Sequence, residues 1–258
     1  MVNLKNYNVV LKYFVLLLTF ILNISCNQQK LYLTRIEGKE IGITDKNKDV
    51  PAIEAFIKPY RDKIDADLNT VLAIAPETLD KSGEWQSPIG NLFSDVVLLK
   101  GNPILKSREN KNIDLVLLNH GGIRSIIPKG NVTLRTAYEI MPFENSLVVV
   151  ALKGEQIIEM INFIITEKKP HPLSGMTFTI DKNKTATTIL IQGKAFERDK
   201  IYYVGTNDYL ANGGDNMNFF KKGIQKYELD YKLRNVLIDY FKDVDTVIAP
   251  KNARITVE

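Results

Sequence analysis

The chain has 258 residues, 45% of them hydrophobic and 25% charged, with a formal net charge of +4. That balance excludes an intrinsically disordered chain and allows one large domain or two small ones. Lys5 and Lys12 carry two of the four net charges, and the other basic residues are scattered, so a nucleic-acid polymer is not an expected partner.

The chain opens with Lys5 and Lys12 around a polar stretch, followed by an apolar core, Tyr13–Leu22. That core is too short to span a bilayer but fits an export signal. Cys26 is the only cysteine, so no intrachain disulfide is expected. The stretch "LNISC" ending at Cys26 resembles a bacterial lipobox, although Asn23 and Ile24 depart from its usual pattern. The resemblance implies a lipoprotein signal peptide over 1–25 and lipidation of Cys26. The product would be an exported bacterial lipoprotein, membrane-anchored and facing the periplasm or the cell surface. Residues 26–49 then read as a polar tether with a short strand near Tyr32–Ile36, and 50–258 as a single domain.

Within that domain, Ile53, Phe56, Ile57, Tyr60, Ile64 and Leu68 recur at helical spacing behind Pro51. Val71–Ala75 reads as a strand, Ile89–Lys100 as a helix and Ile113–Leu118 as a buried strand. Ser146–Leu152 is strand-like. Lys153-Gly154 opens a helix with Ile157, Ile158, Ile161, Ile164 and Ile165 on one stripe. The stretches "MTFTID" and "TTILIQG" form a strand pair with a turn between, and Ile201–Thr206 is another strand. Tyr231, Val236, Leu237, Tyr240 and Phe241 mark a last helix, and Arg254–Val257 a last strand. Helices and strands are interspersed without strict alternation. The expected class is α+β (α/β mixed), a single domain with a mixed β-sheet and flanking helices.

Three segments hold residues suited to chemistry. In "NHGGIR", Gly121 and Gly122 permit close approach of a ligand, and Arg124 offers a fork to phosphate or carboxylate; a Gly-Gly turn with a solvated Arg has the same sequence. In "PFEN", Phe143 and Asn145 pair a stacking face with a hydrogen-bonding amide, or else Phe143 is a core residue at a strand entry. In "TNDYLANGGDNMNFF", Asp208, Tyr209, Gly213, Gly214 and Asp215 cluster as in an elaborate turn, and their spacing does not match an EF-hand.

Taken in order, "SPIGNLFSD", the block Asp114–Ile157 that contains "NHGGIR" and "PFEN", "PLSGMTFTID" and "YLANGGD" resemble the C-terminal substrate-binding domain of the 5'-nucleotidase, UDP-sugar hydrolase and 2',3'-cyclic phosphodiesterase family. The resemblance runs from about Pro51 to Glu258. It implies that Phe143 and Tyr209 sandwich a nucleobase and that Asn145 reads its edge. Asp215 would accept from ribose hydroxyls, and Arg124 would hold the phosphate beside Gly121 and Gly122, with Gly213 and Gly214 part of the same site. Tyr209 stands where the family often has Phe; either ring can stack, at ~1–3 kcal/mol per base. Some relatives carry further arginines before the "GN" helix motif, where this chain has only Lys81.

Full-length members of the family add a metallophosphatase domain with two divalent metals. Here only His120 and His171 are present, and no Asp-x-His or Gly-Asn-His-Glu motif. The chain is therefore expected to hold no metal, no cofactor and no catalytic residue of its own. His120 reads as a structural residue beside the ligand. Divalent metals would come from a separately encoded metallophosphatase subunit, which with a nucleotide or nucleoside is the expected partner. The alternative is a stand-alone envelope lipoprotein that binds nucleotides or nucleosides. An intact hydrolase is the least favoured reading, because uncatalysed phosphate-ester hydrolysis is among the slowest reactions known.

Overall fold

The computed structural model describes residues 4–22, 32–44 and 47–258, and the chain separates into two compact units, Met1–Pro51 and Ala52–Glu258. In the first, helix α1 covers Leu4–Leu22. It takes in the expected apolar core and the polar residues before it. Among the described residues no helix is long and apolar enough to cross a membrane. Cys26 lies outside the described residues. The strand expected near Tyr32–Ile36 is not formed where it is described. Leu33 and Ile36 are exposed there, and a strand without a partner has unpaired backbone groups and nothing to hold it extended.

In chain order the remaining elements are α2 (Pro51–Leu68), β1 (Val71–Ala75), α3 (Pro88–Glu109), β2 (Leu115–Leu117), β3 (Gly130–Thr133) and α4 (Leu134–Ile140). Next come β4 (Ser146–Lys153), α5 (Gly154–Glu167), β5 (Leu173–Ser174), β6 (Met176–Ile180), β7 (Ala186–Ile191), β8 (Lys194–Ala195) and β9 (Ile201–Asn207). The chain closes with α6 (Asp208–Ala211), β10 (Gln225–Lys232), α7 (Leu233–Asp243) and β11 (Ile255–Val257). The fold is an α+β domain built on a mixed five-stranded sheet of order β10-β4-β9-β2-β5, with a four-stranded sheet β11-β6-β7-β8 and a pair β1-β3.

Strand β4 explains the sheet's place in the core. Leu147, Val149 and Ala151 enter one apolar cluster with α3 and α7, whereas Val148, Val150 and Leu152 enter another with α5. Alternate side chains leave a strand on opposite faces. A strand covered on both faces is therefore apolar at every position, as "LVVVAL" is.

Helix α3, expected over Ile89–Lys100, runs on past "GNP" to Glu109. It starts cleanly, with the Ser87 hydroxyl accepting from the Gly90 N–H and Pro88 in the first turn. It then continues through Gly101 and Pro103 to Asn110, which caps it in the left-handed region. Asn102 accepts the Ile113 N–H at 2.8 Å, and Leu105 is fully buried. Packing on both sides of the weak turn outweighs local propensity. Strand β10 is an edge strand with Tyr227 and Leu229 buried and their neighbours exposed; it takes in Tyr231, expected on the last helix, because pairing with β4 continues to Lys232 opposite Ser146 and α7 starts only at Leu233.

Candidate functional site

The sheet brings the three chemistry-bearing segments together at one edge. β2 and β9 run parallel, and β4 runs antiparallel to β9 with Leu147 opposite Asn207. The carboxyl ends of β2 and β9 therefore lie beside the amino end of β4. "NHGGIR" follows β2, "PFEN" precedes β4, and "DYLANGGD" follows β9. Loops at the carboxyl ends of parallel strands are a common place for ligand sites.

A cavity of about 350 Å³ opens there, lined by Asn119, Gly121, Gly122, Arg124, Phe143, Asn145, Tyr209 and Asp215. Phe143 is 43% and Tyr209 48% exposed. Two large rings left that open on one concavity are surface the fold does not use for its own core. The Arg124 guanidinium stands 5.8 Å from the Phe143 ring centroid and donates to the Gly121 carbonyl at 3.2 Å.

Asp215 sits in the short turn Gly214–Asn216 with left-handed backbone, φ 50°. Its Oδ1 accepts from the Tyr209 hydroxyl at 2.8 Å, and its Oδ2 accepts from the Asn119 amide at 2.6 Å. The carboxylate thus joins two loops, and its further lone pairs remain for a ligand's hydroxyls. Asn119 escaped the sequence reading although it opens "NHGGIR"; only its bond to Asp215, across 96 positions, brings it to the site.

The glycines divide by task. A Cβ on Gly122 would meet the Asn119 carboxamide oxygen at 2.6 Å, so glycine lets Asn119 keep its place. On Gly121 the nearest atoms would be 3.8 and 3.9 Å away, on Asn119 and Asp215. Gly213 and Gly214 do not line the cavity. A Cβ on Gly214 would lie 2.4 Å from the Tyr209 ring, and one on Gly213 would strike Lys221. Gly214 thus sets the ring's seat, and Gly213, with φ 84°, makes the left-handed turn before it.

The "PFEN" loop is tied to the start of α7. The Leu233 N–H donates to the Asn145 carbonyl at 2.9 Å, and Lys232 donates to the Glu144 carbonyl at 2.6 Å. Buried Arg234 pairs with the Glu144 carboxylate, donates to the Pro142 carbonyl at 3.4 Å and lies 4.3 Å from the Tyr138 ring centroid.

His120 is not on the cavity wall. Burial, the positive charge of Lys81, and Lys169 hold its imidazole below the usual range, while a hydrogen bond to the Pro170 backbone acts the other way. Lys81 is also held low, by burial and then by Arg124, so the lone cation of the loop before α3 lies within electrostatic reach of Arg124. The two-way backbone bridge between Leu79 and Ile127 brings these segments alongside each other. Among the described residues no three His, Cys, Asp or Glu side chains are grouped to hold a metal.

A family model described as the 5'-nucleotidase C-terminal domain matches residues 69–222. The endonuclease YhcR of Bacillus subtilis is 28% identical over 183 residues, which cover 68% of this chain and 14% of that protein. The trifunctional nucleotide phosphoesterase YfkN of the same organism is 23% identical over 227 residues, 81% of this chain and 15% of that one. Among solved structures, a 5'-nucleotidase precursor from Thermus thermophilus superimposes with a TM-score of 0.67 at 27% identity, over 80% of this chain and 42% of its own. The chain thus spans less than half the length of each of these proteins.

Proposed function

The chain belongs to the 5'-nucleotidase C-terminal domain family, and from that membership we propose that it is the nucleotide-binding half of a 5'-nucleotidase-type phosphohydrolase at the bacterial cell envelope. The observation that carries this reading is the cavity in which two exposed rings, Phe143 and Tyr209, share a concavity with Arg124 and Asp215. A nucleobase is a flat ring that stacks on aromatic faces, ribose presents hydroxyls to a carboxylate, and phosphate suits a guanidinium fork. The cavity offers all three chemistries within reach of one small ligand. Asn145 supplies the amide for the edge of the base.

Hydrolysis would draw on divalent metals held by a metallophosphatase on another chain. Such metals activate water and stabilise the leaving oxygen. The residues of the cavity would hold and orient the nucleotide for that attack. The "LNISC" stretch supports attachment to a membrane through Cys26, which Cys26→Ser would abolish in a lipid-labelling assay.

The test combines binding and mixing. AMP and adenosine are titrated into the full chain in detergent. Phe143→Ala with Tyr209→Ala should abolish binding of both, and Arg124→Ala should weaken AMP alone, by about tenfold or more. AMP hydrolysis with Mn²⁺ is then assayed alone and with a candidate calcineurin-like phosphatase. Binding that survives the double substitution sinks the stacking assignment, and metal-dependent activity of this chain alone sinks the division of labour. Binding without stimulation of any such phosphatase would instead favour a stand-alone nucleotide-binding lipoprotein.

A further inference from the structure

The segment between α5 and β5 holds a buried ionisable side chain that the proposed function does not use. His171 stands between Pro170 and Pro172 and is 5% exposed. Its Nδ1 accepts the backbone N–H of His120 at 3.2 Å. A neutral imidazole carries one proton, so an accepting Nδ1 places it on Nε2. That Nε2 is buried and has no hydrogen-bond partner among the described residues, and the ring leans on Phe163 with centroids 5.6 Å apart. An orphaned buried donor is costly. Among the described residues, the one polar contact that the ring makes is therefore the one at Nδ1.

The bond belongs to a short clasp. The Leu118 N–H donates to the Pro172 carbonyl at 2.9 Å, one residue past the His171 ring that takes the His120 N–H. The two prolines fix their own φ and donate nothing, so this stretch is a stiff partner for the end of β2. The clasped residue, His120, opens the turn whose Gly121 and Gly122 line the cavity, and Arg124 reaches back to that turn through the Gly121 carbonyl.

We propose that His171 is a positioning residue for the nucleotide site: its neutral, Nε2-protonated ring holds the His120 N–H and thereby fixes the turn that carries Gly121 and Gly122 and seats Arg124. The proposal rests on the nucleotide-binding reading above. The charged and titratable groups facing His171 are His120, Glu167, Lys169 and Asp215, but burial is the largest influence and keeps the ring neutral down to about pH 4. The acceptor is thus present throughout the neutral range.

The full chain with ¹⁵N-labelled histidine tests this. The expected spectrum shows a bare Nδ1 and a protonated Nε2 at His171 from pH 8 to 5. His171→Phe keeps the ring volume and removes both the orphaned donor and the acceptor. It should weaken AMP binding by about two- to tenfold, the worth of one hydrogen bond, and speed exchange of the His120 amide. His171→Asn puts an oxygen near the place of Nδ1 and should restore both. An Nδ1-protonated tautomer, a Phe variant with wild-type binding and exchange, or an Asn variant no better than Phe would each overturn the proposal. If the unaltered chain binds neither AMP nor adenosine, the nucleotide reading falls by itself, while tautomer and amide exchange still decide the clasp.

Discussion

Gly214 shows how much of the site rests on a missing side chain. The face of Tyr209 packs where a Cβ on Gly214 would stand, and the same ring's hydroxyl holds Asp215. Gly214→Ala should push the ring outward and break its bond to the carboxylate. Overpacking typically costs about 1–3 kcal/mol, but Tyr209 is half exposed and can move. The loss should therefore fall on binding, with AMP affinity down about tenfold and the melting temperature nearly unchanged. Calorimetric titration beside a thermal melt separates the two, and a large drop in melting temperature would count against this account of the ring. Both residues stood out as site candidates by type, yet nothing in "YLANGGD" says that one glycine is the floor under the tyrosine.

At the scale of elements, the "PFEN" loop is held by α7, which lies some ninety residues further along. Arg234 reaches the Glu144 carboxylate and the Pro142 carbonyl in that loop and the Tyr138 ring on α4. Arg234→Lys keeps the charge but loses the planar fork and its stacking. It should lower stability by about 1–3 kcal/mol in a denaturant melt. It should also weaken AMP binding, because Phe143 and Asn145 are no longer fixed. An unchanged affinity would show that the loop holds its shape through the Leu233 and Lys232 bonds alone. Sequence patterning found β1, β4, α5 and β9, whose apolar periods are long and regular. The helix expected over Ile89–Lys100 ends before Gly101 and Pro103, where local propensity is weak, whereas the packing of Leu105 and the Asn102 bond carry α3 on. Patterning passed over β10, whose alternation of Tyr227 and Leu229 is short and set among charged residues.

At the scale of the whole molecule, His171 makes folding sensitive to acid. Its folded pKa is about 4 against an ordinary 6.5. Between those values the unfolded chain binds a proton that the folded chain refuses, so stability falls as pH drops through that window and is fully present above it. The shift corresponds to about 3 kcal/mol by pH 4. His120 is displaced in the same direction, while burial raises Asp114 and works the opposite way at the acid end. Melts at pH 7 and pH 4.5 of the unaltered chain and of His171→Phe isolate the contribution: the variant should lose visibly less stability on acidification. An equal loss in both would assign the acid sensitivity to other groups.

By itself the sequence determined the α+β character, the apolar strand Ser146–Leu152, and the identity and order of the motifs, because each is written within a few neighbouring residues as period, composition or glycine placement. Only the tertiary structure decided that Asn119 meets Asp215, that the rings of Phe143 and Tyr209 open on one cavity, that Gly214 underlies a ring, and that His171 clasps the turn after β2. Apart from Gly214 and Tyr209, five positions apart in one loop, those pairings span tens of residues. They are fixed by sheet order and register, which put the carboxyl ends of β2 and β9 beside the amino end of β4, and no local pattern encodes which segments a sheet will bring to the same edge.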